Sequence, residues 1–106
     1  MRLVMAFVAL EKLHQLHDGY RKAINIAGKQ LLLIQEDGQV RLIKNACPHA
    51  NAPLTYATYG NGCLRCPVHG IEFDLKTGRS LSPACLNGLQ FFSLIYEGNQ
   101  IGIDPD

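Results

Sequence analysis

Charge of either sign is scarce in this 106-residue chain: ten Lys and Arg against nine Asp and Glu leave a formal charge of +1. So even a balance offers no basic patch for nucleic acid, and there is neither an acidic tail nor a block of like charge. Long apolar runs are missing as well. The stretch 3–10 falls far short of the about 20 residues that span a bilayer. Only Arg2 precedes it, and Glu11-Lys12 ends it without a small-x-small cleavage pattern, so it reads as a first β-strand and not a signal peptide. Sustained helical periodicity is absent, with at most a turn near 10–17. There is no internal repeat, no flavin or nicotinamide fingerprint and no mononuclear iron triad. The expectation is therefore one domain that looks complete, soluble and cytoplasmic, too short for two and too small to hold a substrate.

The residues present point to β-structure with many turns: 47% are hydrophobic, with ten Gly and five Pro. Segment 20–26 alternates, Ala27-Gly28-Lys29 can turn, and 30–34 is a short apolar run. Asp37-Gly38 is a strong two-residue turn signal, and 39–44 alternates again. The same grammar returns over 89–96, a Glu97-Gly98-Asn99 turn and 100–103. Both ends of the chain therefore build one antiparallel scaffold, about 1–45 and 83–106. Between them, about 46–82 is poor in periodicity and rich in turn residues, among them 74–78. A segment with so little regular structure needs something else to order its loops, and a bound metal centre would do so. The four cysteines, Cys47, Cys63, Cys66 and Cys85, suit two disulfides in a secreted protein or metal ligands in a cytosolic one. The absence of a signal peptide tips them towards metal.

Cys47-Pro48-His49 and Cys66-Pro67-Val68-His69-Gly70 form a Cys-x-His and a Cys-x2-His loop sixteen residues apart. A zinc finger groups Cys with Cys and His with His. Two mixed loops set side by side can instead turn both sulfurs to one metal and both imidazoles to another, as a Rieske [2Fe–2S] centre requires. Here the sequence resembles the Rieske ferredoxin family over nearly its whole length. The matching residues are 47–54 and 66–74, followed by Thr77-Gly78. The resemblance implies an all-β fold, a Rieske-type antiparallel β-sandwich with a small cluster-binding subdomain at 46–82. It implies one [2Fe–2S] cluster, with Cys47 and Cys66 on one iron and His49 and His69 on the other. It also implies a monomeric one-electron carrier between a flavin-dependent reductase and a terminal oxygenase, such as the ferredoxin components of aromatic-ring dioxygenase systems. The alternatives are the small, non-catalytic subunit of a nitrite-reductase-like enzyme and a zinc-binding interaction module.

Departures from the family pattern inform further. Ala52 and Val68 stand where high-potential respiratory relatives carry a disulfide across the cluster. Ile71 and Phe73 replace their Ser and Tyr hydrogen-bond donors. Fewer donors to sulfur mean less stabilisation of the added electron, so the expected potential lies near the low end of the Rieske range, roughly −150 mV. Asn51, where the family commonly has Gly, suits a residue with φ > 0. An apolar rim of Pro48, Ala50, Ala52, Pro53, Leu54, Pro67, Val68 and Pro83 is the expected docking face, with little dependence on salt. Cys63 reads as a buried free thiol and Cys85 as structural, His14 and His17 as solvated, Tyr56 and Tyr59 as core or loop packing residues, and Phe7, Phe91 and Phe92 as core.

Overall fold

The computed structural model describes residues 6–68, 70–83, 85 and 87–105. Among these described residues, ten strands form three antiparallel sheets. They are β1 (Val8–Lys12), β2 (Arg21–Ile26), β3 (Lys29–Glu36), β4 (Gln39–Lys44), β5 (Thr58–Gly60), β6 (Cys63–Arg65), β7 (Glu72–Asp74), β8 (Phe91–Phe92), β9 (Ile95–Glu97) and β10 (Gln100–Ile103). A single 3₁₀ turn, Leu13–Gln15, follows β1. The sheets run β1-β10-β9, β2-β3-β4-β8 and β5-β6-β7. The described residues contain no helix long and apolar enough to cross a membrane.

Turn chemistry sets the hairpins. Ala27-Gly28 and Asp37-Gly38 have positive φ at both positions (52° and 77°, 51° and 73°), the conformation whose twist matches that of the flanking strands. Asn61-Gly62 repeats it (53° and 75°) between β5 and β6. The hairpin pairs Arg21 with Ile34 and Ile26 with Lys29, leaving only Ala27 and Gly28 to turn.

The apolar run in β3 explains the layering. Leu31, Leu32, Leu33 and Ile34 are all buried, so β3 hides both faces, and its period-2 geometry sends alternate side chains to opposite layers. Leu31 and Leu33, with Leu42, pack against Leu10, Ile101 and Ile103 of the β1-β10-β9 sheet. Leu32 and Ile34, with Ile43, pack against Leu54, Leu64, Phe73 and both Cys47 and Cys66. The central sheet is thus covered on one side by the chain's two ends and on the other by the cysteine-bearing segment.

Three expectations are corrected by this packing. Segment 89–96 is not one strand: β8 joins β4 while β9 joins β10, so the chain changes sheet at 93–94. Phe91 lies on the outer face of an edge strand and is 37% exposed, and Phe7 and Phe92 are only half-buried. Tyr56 is 84% exposed, because it occupies a turn outside the core. His14 and His17 are exposed, as expected.

Candidate metal centre

Cys47 follows β4 by three residues, and a tight hydrogen-bonded loop begins there. The Asn51 N–H donates to the Cys47 carbonyl (2.7 Å) and the Cys47 N–H to that of Ala52 (2.7 Å). Asn51 has φ 57°, the left-handed conformation its side chain tolerates better than most. A residue not anticipated from the sequence closes this loop. The Asn45 carboxamide oxygen accepts the buried Leu54 N–H (2.7 Å), and its NH₂ donates to Thr55 Oγ1 (2.9 Å). Its only sequence signal is an Asn at the end of a strand, a common turn residue.

The second loop hangs from β6 and β7. The Cys66 N–H donates to the Ile71 carbonyl (2.9 Å), and Gly70 turns with φ 66°. The next turn is held by the Asp74 carboxylate, which accepts the Lys76 (2.7 Å) and Thr77 (3.2 Å) N–H groups. Thr77-Gly78 therefore serves the turn, as its sequence suggests.

The fold brings Cys47 and Cys66 together. Both are buried, at 2% and 1% exposure, they belong to one packed cluster, and they lie close enough for Cys47 to raise the Cys66 thiol. Burial first, then the Cys47 side chain, pushes the Cys66 thiol above the ordinary range, with the Val68 N–H acting against the rise. Their free thiols form a pair of soft donors enclosed in apolar packing. His49 is exposed; with Cys47, Pro48 and Asn51 it lines an open depression of about 400 Å³. His69 lies outside the described residues. Among the described residues, no three His, Cys, Asp or Glu converge on one point to hold a single ion. A two-iron centre takes its ligands in two pairs, so it does not need three donors on one ion.

The remaining cysteines are separate. Cys85 is buried with its thiol against the Asn87 carbonyl (3.4 Å). Cys63 is half-buried, not buried as expected, since it opens β6 beside the exposed Asn61-Gly62 turn. Leu54 is fully enclosed and cannot belong to a docking rim; its side chain faces the core below the loop. Ile71 and Phe73 are both buried. Tyr59 packs beneath the Arg21 guanidinium, 3.7 Å above its ring, which ties β5 to the central sheet.

The comparisons with known proteins agree with this geometry. Residues 6–93 match the Rieske [2Fe-2S] domain. Over 92 residues the chain is 26% identical to the ferredoxin component of the naphthalene 1,2-dioxygenase system of Pseudomonas aeruginosa, covering 87% of this chain and 88% of that one. It superposes on the Sphingomonas yanoikuyae B1 ferredoxin with a TM-score of 0.80 at 27% identity, over 93% and 98% of the two chains. A ferredoxin solved with the oxygenase of carbazole 1,9a-dioxygenase shares the fold (TM-score 0.77, 21% identity, 89% and 97% covered). The match to mouse apoptosis-inducing factor 3 is 28% identical over 83% of this chain, which spans only 14% of that protein. Buried paired thiols, two closed loops and a central sheet covered on both faces thus meet a family match over most of the chain's length: the chain belongs to the Rieske [2Fe-2S] domain family.

Proposed function

We propose that this protein is a one-electron carrier whose Rieske [2Fe–2S] cluster is bound by Cys47 and Cys66 on one iron and by His49 and His69 on the other. The observation that carries the ligand set is the neighbouring buried pair Cys47 and Cys66 in one packed cluster, drawn from two loops with sixteen residues between them. When bound, the cluster supplies a site that accepts and returns one electron without bond rearrangement. The chain's own residues do the rest. The apolar packing of Leu54, Leu64 and Phe73 shields the sulfur side from water, and the exposed His49 edge faces a partner.

The chain works as a single domain, with 1–45 and 83–106 as scaffold and 46–82 as the cluster-binding part. Its partners are a flavin-dependent reductase and a terminal oxygenase, the latter like the oxygenase solved with the ferredoxin of the carbazole system, and it acts as a monomer in the cytoplasm. Docking involves the exposed Ala50, Pro53, Pro67 and Pro83 with the half-buried Pro48, Ala52 and Val68. The nitrite-reductase small-subunit reading shares the fold but gains nothing from the buried thiol pair, which favours the cluster-bearing carrier.

Purified protein should be red-brown, contain two irons per chain and give a rhombic signal on reduction. Cys66→Ser should abolish it, and His69→Cys should change the signal. A colourless protein carrying zinc, or a His69→Cys variant with an unaltered Rieske spectrum, would refute the assignment.

A further inference from the structure

Arg65 ends β6, immediately before Cys66. Its Cα partners across the sheet are Thr58 and Glu72, and all three residues are exposed, so their side chains share one solvent face. A carboxylate is therefore at hand, yet among the described residues no ion pair joins Arg65 to Glu72. The guanidinium lies instead on the backbone of Gly70. A Cβ at that glycine would come within 2.6 Å of Nη2, 2.9 Å of Nε and 3.1 Å of Cζ. Gly70, with its positive φ, ends the loop that Cys66 begins, and the Cys66 N–H to Ile71 carbonyl bond draws the two ends together. The guanidinium thus reaches from one end of this loop to the other.

Resting on the cluster assignment above, we propose that Arg65 sets the reduction potential by holding a permanent positive charge against the second cluster-binding loop. The site becomes one unit more negative when the electron arrives, and a nearby cation stabilises that form over the oxidised one. Guanidinium is suited to this task because it stays charged at every working pH. No side-chain hydroxyl at 71 or 73 competes for the role, since those positions are Ile and Phe. Glycine at 70 leaves the space the guanidinium fills.

The test is a dye-mediated redox titration of cluster-loaded wild type, Arg65→Lys, Arg65→Gln and Arg65→Glu at low salt. At a fixed poise, Arg65→Gln should lower the ratio of reduced to oxidised protein by about three- to tenfold, tenfold being 59 mV for one electron. Arg65→Glu should lower it further, whereas Arg65→Lys should stay within about twofold, because the charge persists. Added salt should shrink the differences, since the face is exposed. Gln and Glu variants with a normal Rieske spectrum and an unchanged midpoint would overturn the proposal. If Arg65→Gln loses its cluster, Thr58→Glu offers a second route. A carboxylate added on that face should offset the Arg65 charge and so lower the midpoint, and no shift there would equally overturn the assignment. Failure of the cluster assignment itself is distinguishable, because wild type would then show no Rieske spectrum before any potential is read.

Discussion

Asn45 offers a sharp test of how the first loop is held. Its side chain closes the eight residues between itself and Leu54 through two hydrogen bonds, of 2.7 and 2.9 Å. Asn45→Ala removes both, each worth about 0.5–1.5 kcal/mol, and leaves the Leu54 N–H without a partner, a further penalty of about 1–3 kcal/mol for a buried donor. Leu54 is fully enclosed, so water cannot replace the lost acceptor. The expected destabilisation is about 2–6 kcal/mol, which lowers a urea midpoint by about 1–3 M at a slope of about 2 kcal/mol/M. Because the damage is local to the Cys47 loop, the visible chromophore should also bleach faster under a chelator than in wild type. Asn45→Asp keeps the acceptor for Leu54 and loses only the donor to Thr55, so it should fall between the two. A urea midpoint for Asn45→Ala within about 0.3 M of wild type, with unchanged bleaching, would show that the loop is not closed in this way.

Other expectations follow from individual contacts. The Tyr20 hydroxyl donates to Glu11 (2.5 Å); this bond first, then the Lys12 N–H and Lys22, holds the Glu11 carboxyl below its ordinary range. Its stabilisation is therefore complete above the unfolded value of about 4.3 and lost as pH falls through the lower folded one; acid titrations of stability should show a shallower slope there for Tyr20→Phe. Asn51→Ala should cost about 1 kcal/mol at its left-handed φ and Asn51→Gly almost nothing, measured by chemical denaturation. Leu81 is 56% exposed beside Gly70, so the neutral Leu81→Gln should slow transfer to a protein acceptor about tenfold while leaving the midpoint potential in place. The Tyr59 hydroxyl is buried with no hydrogen-bond partner among the described residues, so Tyr59→Phe should hold or raise the thermal midpoint; a clear drop would reveal a partner for that oxygen.

What was legible in the sequence was local. The Ala27-Gly28 and Asp37-Gly38 turns depend on two residues that accept positive φ, and no distant contact is needed to place them. The family was legible because the paired Cys–His loops restrict residue type and spacing together. The Asn51 conformation followed from the resemblance, since the family commonly has Gly there and Asn is the side chain that best tolerates positive φ. Positions decided by tertiary packing were not legible. Leu54 and Pro53 adjoin in one loop, yet one is enclosed and the other exposed, because the loop lies over the core with only one side chain directed inward. Phe91 and Phe92 share an edge strand and divide between its two faces. Asn45 and Arg65 look like ordinary polar residues until the fold shows which backbone each one meets.

Those packing decisions also constrain how the centre can be tuned. Phe73 is fully buried and Ile71 nearly so, so the side chains that withhold hydrogen bonds from the sulfur side also seal the core beneath the loops. A donor introduced at either place would have to find its acceptor inside that core or stand as an unsatisfied buried group, with a stability cost of about 1–3 kcal/mol. Potential and packing are coupled at 71 and 73. They are not coupled at 65, where the side chain lies on the solvent face of β6 and covers a glycine. Charge there can change sign without opening a cavity. A lineage of such carriers matched to different redox partners can therefore vary the exposed position freely, whereas changes at the two buried positions require compensating repacking.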